Sequence, residues 1–300
     1  MQLPADGHVH SQFSWDARKV GDMEATCARA VAVGLPAVAF TEHVDFTPFR
    51  AGFLAPDYPH LVDEKGLLRA PALDVAEYLE CVQRCRAAYP QLTILAGMEV
   101  GQPHRHVEQV DALLAAGSFD RVLGSLHCLL DGPAGLDGSP AAGSGSGPGA
   151  QERGAQFAEP WELYPRYEAD EVFRAYLAEI PRMVAGSAVF TAFAHIDYPV
   201  RSWPEDAAPF DPLDFEEELR WALRALAQGE RALEINTRRP LEAVIVRWWR
   251  QEGGRLVTFG SDAHLPDLVG EGLAEAAGLA AAEGFGPDRH PGAAWLFGAS

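Results

Sequence analysis

Seven short apolar runs punctuate the chain, and each breaks off into polar residues. They are Leu3–His10, Ala37–His43, Thr93–Val100, Arg121–His127, Val189–Asp197, Ala232–Thr237 and Leu256–His264. Runs that are apolar almost without alternation suit strands buried on both faces of a parallel sheet. Between most of them, apolar residues recur at helical spacing. This predicts helices over Asp22–Val33, Asp74–Tyr89, Val107–Ala116, Glu168–Ala185, Asp214–Gln228, Leu241–Gln251 and Leu268–Glu283. Several of these segments stop at a natural breaker: Gly34, Pro90, Gly117, Gly186, Gly229 or Gly253. Pro181 should kink its helix. Strands alternating with helices imply parallel strands joined by helical crossovers. Seven repeats favour a closed α/β barrel over an open sheet, as a single domain over residues 1–300.

One stretch breaks the rhythm. From Gly132 to Ala150 the chain is almost all Gly, Ala, Ser and Pro. Such a composition buries too little apolar surface to offset its ordering entropy. The expectation is a flexible insertion at about 131–160, on the loop after the fourth strand, rather than a domain boundary.

Composition narrows the partners. Three hundred residues suit one barrel, and 48% apolar residues supply a large core. A net charge of -19 argues against nucleic acid or an anionic membrane, since both need a basic footprint. Cys27, Cys81, Cys85 and Cys128 form no Cys-x-x-Cys pair, and no signal segment or apolar run of membrane-spanning length is present. A reduced, cytoplasmic chain is expected. Oligomeric state is not legible.

Candidate chemistry gathers where barrel enzymes keep it, at the C-terminal ends of the strands. His8 and His10 are two apart and therefore point to one side of a strand. The same edge carries Glu42 and His43, Glu99, His127, His195 and Asp197, Asn236, and Asp262 and His264. Six of the ten histidines sit there. Asp16 follows the first pair closely enough to reach back over the barrel mouth. Imidazoles with carboxylates are the ligand set of zinc, iron and manganese centres. Cys128, adjacent to His127, alternates to the other side and is assigned to packing. His104 and His106 repeat the two-apart spacing, but in a loop after Pro103, where a surface role is expected. His60 and His290 receive no role. Trp248 and Trp249 share helical spacing with Leu241, Val244 and Ile245 and are read as packing. Glu216, Glu217 and Glu218 read as a solvated helix start.

Six stretches together resemble the successive motifs of the polymerase-and-histidinol-phosphatase (PHP) family. They are Asp6-Gly-His8-Val-His10, Thr41-Glu42-His43, Gly97-Met-Glu99, Gly124-Ser-Leu-His127, Ala194-His195-Ile-Asp197 and Gly260-Ser-Asp262-Ala-His264. Within the family, Glu234-Ile-Asn-Thr237 and His195-Ile-Asp-Tyr-Pro-Val-Arg201 resemble the monofunctional histidinol-phosphate phosphatases. The resemblance implies a distorted seven-stranded β/α barrel holding three divalent metal ions. It implies His8, His10, Glu99 and Asp262 on the first ion, Glu99, His127 and His195 on the second, and Asp16, His43 and His264 on the third. Asp6 is expected to orient a histidine from outside the ligand set. Glu99, Asp262, His264 and Arg201 are the implied catalytic residues, with Arg166, Arg201 and Arg238 as candidate substrate contacts. Three divalent ions against Asp16, Glu99 and Asp262 leave the centre net positive, so a phosphate can bind despite the acidic surface. The implied activity is metal-assisted hydrolysis of L-histidinol phosphate to L-histidinol and phosphate. The alternatives are another small phosphate ester or nucleotide, and a metal-binding module without catalysis. The acidity and the Gly-rich insertion depart from the family pattern and leave the exact substrate open. Zinc, iron and manganese all suit the ligands.

Overall fold

In a computed structural model of the chain, the structure describes residues 3–132, 136 and 156–299. Their main sheet has nine strands. We label them β1 (Asp6–Val9), β2 (Ala37–Asp45), β3 (Thr93–Gly101), β4 (Arg121–Ser125), β5 (Ala192–Phe193), β6 (Ala232–Asn236), β7 (Leu256–Gly260), β8 (Phe285–Gly286) and β9 (Trp295–Phe297). The strand order is β1-β2-β3-β4-β5-β6-β7-β9-β8. The first seven pair in parallel, and β9 and β8 are added antiparallel beyond β7. The sheet thus has two strands beyond the seven that the apolar runs predict. The last two strands are short, and Trp295 packs edge-on to Phe259 with ring centroids 5.0 Å apart. They carry no polar residue at the strand end that would have marked them.

The sheet curls until its first and seventh strands meet. Val9 and Ala263 form a parallel bridge. The Asp262 N–H donates to the His8 carbonyl at 2.8 Å, and the His10 N–H to the Ala263 carbonyl at 2.9 Å. This close approach explains Gly260: a Cβ there would lie 2.3 Å from His8 Cβ.

The helices sit within a few residues of the predicted ranges because local caps define them. Asp22 accepts from the Ala25 N–H, and Asp74 from the Glu77 N–H. Gly34 closes the first helix at φ 79°, a conformation that glycine adopts without a Cβ penalty. The helix Ala169–Gly186 continues through Pro181. Trp248 and Trp249 are buried in the core, as their spacing suggested, and Trp249 Nε1 donates to the Leu256 carbonyl of the sheet. Among the described residues, no helix is long and apolar enough to cross a membrane.

The fifth predicted strand shrinks to Ala192–Phe193. His195 takes a left-handed backbone at φ 28°, and Tyr198–Ser202 winds into a 3-10 turn, so extension stops early. A second, four-stranded sheet joins Leu67–Leu68, Phe49–Arg50, Phe157–Ala158 and Leu129–Leu130. The Gly132–Ala150 insertion lies outside the described residues, apart from Gly132 and Leu136. Its C-terminal flank does not belong to it. Phe157, Ala158 and Pro160 are buried apolar residues in regular structure, so the insertion's expected end at 160 is too far along.

Candidate metal centre

Six imidazoles and three carboxylates turn towards one space at the C-terminal ends of the parallel strands. Glu99, on β3, is at its middle. Its Oε1 lies 2.7 Å from His195 Nε2 and 3.1 Å from His127 Nε2. Its Oε2 lies 3.1 Å from His43 Nδ1, 3.2 Å from His8 Nε2 and 3.5 Å from His10 Nε2. Asp262 Oδ1 is 3.2 Å from His10 Nε2. Asp16 Oδ2 is 3.0 Å from His264 Nε2 and 3.4 Å from His43 Nε2. Four sets of three donors come close enough to share an ion: His8, His10 and Asp262; His8, Glu99 and His195; His43, Glu99 and His127; and His10, His43 and His264.

The outward nitrogens decide what the inward ones offer. His8 Nδ1 donates to Glu234 at 2.8 Å, and His127 Nδ1 to Asp45 at 3.0 Å. His264 Nδ1 donates to the Asp262 carbonyl at 3.0 Å. His10 Nδ1 donates at 2.9 Å to Ser14 Oγ, whose own proton goes to Glu42 at 2.6 Å. In its neutral, ion-binding form each ring would then point a bare lone pair inward, the usual arrangement of a metal-bound histidine and its supporting acceptor. His8 Nε2 and His10 Nε2 face each other at 3.1 Å. The buried atoms Glu99 Oε2, Asp16 Oδ1, His43 Nδ1 and His195 Nδ1 have no hydrogen-bond partner. A cluster of lone pairs and orphaned carboxylate oxygens fits divalent cations.

Charge balance points the same way. Burial alone would raise the Glu99 carboxyl, but His8, His127 and His43 outweigh it and hold the group well below the usual carboxylate range. Burial and the neighbouring His43 and His264 hold His10 well below its ordinary value. Burial and Arg201 lower His195 to about 4. The carboxylates thus draw positive charge into a space where His10 and His195 resist protonation.

Local geometry shows which edge candidates belong. Glu42 and His43 are consecutive on β2 and face opposite ways. His43 enters the cluster, and Glu42 takes hydrogen bonds from the Ser11 N–H, Ser11 Oγ and Ser14 Oγ. Asp6 orients no imidazole side chain, contrary to expectation. It accepts from the Ser261 N–H, Ser261 Oγ and the Gly270 N–H, and so ties the β7 loop to β1. Glu234 fills the role expected of Asp6. Its other oxygen accepts from Asn236 Nδ2, and Asn236 Oδ1 accepts from Arg201 at 3.1 Å. The sequence signals were that Glu234 and Asn236 stand two apart on one strand and that the Glu234–Thr237 stretch resembles the histidinol-phosphate phosphatases, but neither assigned Glu234 to His8. Asp45 was also missed. It holds His127 and accepts from Trp15 Nε1 at 3.1 Å. A Cβ at Gly101 would lie 2.2 Å from Asp45 Oδ1, so that carboxylate needs the glycine. Asp262 joins His195 in the left-handed region, at φ 55°. Backbone strain of this kind gathers at functional sites.

A cavity of about 660 Å³ opens above the cluster. Arg201 lines it, paired to Asp262 Oδ2 at 2.7 Å, and so do Arg238 and Arg239. Arg166 does not. It pairs with Asp131 at 2.6 Å and lies over the Tyr167 ring, which removes it from the candidate substrate contacts. His104 and His106 also stay outside, although neither is on the open surface. His104 Nε2 bonds Glu179 at 2.8 Å, and His106 Nε2 bonds Thr47 Oγ1 at 2.7 Å. Cys128 packs with Trp15, Phe49 and Phe157, as alternation required.

Glu234→Leu is expected to weaken metal binding by roughly 10–100-fold, because the His8 Nδ1–H loses its acceptor and the ring loses its tautomer and aim. Competition against a chromophoric chelator measures this. Wild-type affinity in the variant would remove Glu234 from that role.

Comparisons with known proteins point to one family. The chain is 26% identical over 268 residues to the histidinol-phosphatase of Lactococcus lactis subsp. lactis (strain IL1403), covering 87% of this chain and 84% of that protein. It is 24% identical over 273 residues to a probable histidinol-phosphatase of Clostridium acetobutylicum, covering 88% of each. In fold it is similar to the crystal structure of the Lactococcus lactis histidinol phosphate phosphatase complexed with zinc, L-histidinol and phosphate. The TM-score is 0.71 at 24% identity, over 95% of both chains. The PHP domain family model matches residues 6–238, from the first histidine motif to the arginines beyond β6. With that match covering most of its length, the chain belongs to the PHP domain family.

Proposed function

We propose that this chain is a metal-dependent phosphomonoesterase that hydrolyses L-histidinol phosphate to L-histidinol and phosphate. The single observation that carries the reading is the convergence of six imidazoles and three carboxylates beneath an arginine-lined cavity. Similarity to histidinol-phosphatases over most of the chain supports the substrate. We assign residues 1–300 to one distorted seven-stranded barrel domain. We assign the first ion to His8, His10, Glu99 and Asp262, the second to Glu99, His127 and His195, and the third to Asp16, His43 and His264. His43 stands within reach of Glu99 as well as Asp16. We place the protein in the cytoplasm, where its four buried, free cysteines would stay reduced.

Bound divalent ions supply Lewis-acid activation of a water and of the phosphoryl oxygens. The chain supplies the rest. Glu99 and Asp262 bring anionic charge that lets cations collect in a closed space. Glu234, Asp45 and Ser14 hold the imidazoles in one tautomer and one orientation. Arg201 is pinned by Asp262 and Asn236, so its guanidinium meets a phosphate without first losing conformational freedom. Arg238 is half-exposed, 4.0 Å from Asp262 Oδ1, and adds charge at the rim beside His264.

A panel of phosphate esters tests the reading. L-histidinol phosphate is expected to exceed generic alkyl phosphates in kcat/KM by at least roughly 100-fold, about 3 kcal/mol of transition-state discrimination. Equal rates across the panel would assign the site to another small ester. Stoichiometric metal with no ester hydrolysed would leave a binding module.

A further inference from the structure

One acidic side chain in the cavity wall belongs to no part of the proposed metal centre. Glu159 is 5% exposed and lines the cavity. Its carboxylate accepts a hydrogen bond from the Tyr198 hydroxyl at 2.5 Å. Among the described residues, no lysine, arginine or histidine forms an ion pair with it. Every other carboxylate that lines the cavity has a histidine or arginine within ion-pairing distance: Asp16, Asp45, Glu99 and Asp262. A buried carboxylate without a cation is costly, and a ligand that brings the cation removes the cost.

The surroundings suit an ammonium ion. The Trp161 and Tyr198 ring centroids are 6.5 Å apart, and both rings line the same cavity. Aromatic faces attract organic cations. Position matters as much as chemistry. The Tyr198 ring centroid is 4.9 Å from that of His195 and 5.1 Å from that of His127, and its hydroxyl reaches Glu159. Glu159 therefore stands about one tyrosine ring beyond the imidazoles. In the phosphate ester of a 2-amino alcohol, the ammonium is separated from the ester oxygen by two carbons. With the phosphate among the arginines and the imidazoles, an ammonium two carbons beyond the ester oxygen would have the reach to meet this wall. Burial itself raises the Glu159 carboxyl to about 8, and a bound cation would draw it back towards its charged form.

We propose that Glu159, with Trp161 and Tyr198, forms a subsite for the ammonium group of an amino-alcohol phosphate and sets the enzyme's preference for cationic leaving groups. This rests on the phosphomonoesterase reading above. It adds a residue that selects among esters rather than one that breaks the bond. The residue is delivered by Phe157–Ala158, the strand that directly precedes it.

Two non-hydrolysable ligands isolate the ammonium: 3-aminopropylphosphonate, in which a methylene stands in place of the ester oxygen, and propylphosphonate, titrated calorimetrically into the metal-loaded protein. The wild type is expected to bind the amino ligand at least about tenfold more tightly. In Glu159→Gln the ratio of the two affinities is expected to fall to within about twofold of one, and Glu159→Asp should keep part of the preference. Metal content and circular dichroism of each variant exclude loss of the site. A wild type that does not discriminate, or a Glu159→Gln that discriminates fully, overturns the proposal. Turnover of L-histidinol phosphate is measured separately. A protein that prefers the amino ligand but hydrolyses other amino-alcohol phosphates faster keeps the subsite and loses the histidinol phosphate assignment.

Discussion

Glu99→Gln is expected to lower turnover by roughly three orders of magnitude or more, with the fold retained. One fully buried carboxylate faces five imidazoles: His8, His10, His43, His127 and His195. In the proposed centre it would give its oxygens to two cations and would screen their repulsion. Gln keeps the volume but removes the charge, and its amide turns an N–H towards ions that need an oxygen. At least one ion should leave, and the activation of water that it supplies leaves with it. The strand itself should survive, because β3 is paired on both sides through nine and five residue positions of its ladders with β2 and β4. His104→Ala serves as the control a few residues away. Its ring bonds Glu179, outside the cavity, so activity should stay within about twofold, at a cost of about 1 kcal/mol in stability. Metal content, circular dichroism and turnover measured on both variants decide the matter. A Glu99→Gln protein with three ions and a near-normal rate would show that β3 is wrongly assigned.

Removing the metals is expected to abolish hydrolysis and lower the Tm together. Without cations, Asp16, Glu99 and Asp262 must be balanced by protons on the surrounding imidazoles. Neighbouring carboxylates outweigh burial at His8, His43, His127 and His264 and raise their affinity for protons, whereas burial holds His10 and His195 below their ordinary value. Ions that bind only the folded chain stabilise it by RT ln(1 + [M]/Kd), about 4 kcal/mol at a thousandfold excess over Kd. For a chain of this size the shift is on the order of 10 °C. Dialysis against a chelator, followed by separate return of zinc, manganese or iron, should restore both properties and rank the metals. A stripped protein with full activity would end the metal-dependent reading. One with unchanged Tm would place the ions away from the buried cluster.

Much of the site was legible from the chain because its signals are local. Alternation puts His8 and His10 on one side of a strand. Each apolar run ends where a buried strand meets solvent, so the polar residues at its end fall on one rim of the sheet. Helix boundaries follow from caps such as Asp22, Asp74 and Gly34, which act within a few residues. These features depend on near neighbours, and an amino-acid sequence displays near neighbours directly.

The supporting partners were decided only by the tertiary structure. His8 takes Glu234, 226 residues away, as its acceptor, and the nearby Asp6 turns to Ser261 instead. His127 takes Asp45 from β2, and Glu159 meets Tyr198 across 39 residues. Arg166 looked as suitable for phosphate as Arg201, but Asp131 claims it outside the cavity. Closure of β1 on the end of β7, and the two antiparallel strands added beyond it, likewise left no mark on the apolar pattern. Residue type and spacing determine what a side chain can bind and which face of its own element it occupies. Which acceptor it finds depends on which strands become neighbours, and that follows from burial summed over the whole chain.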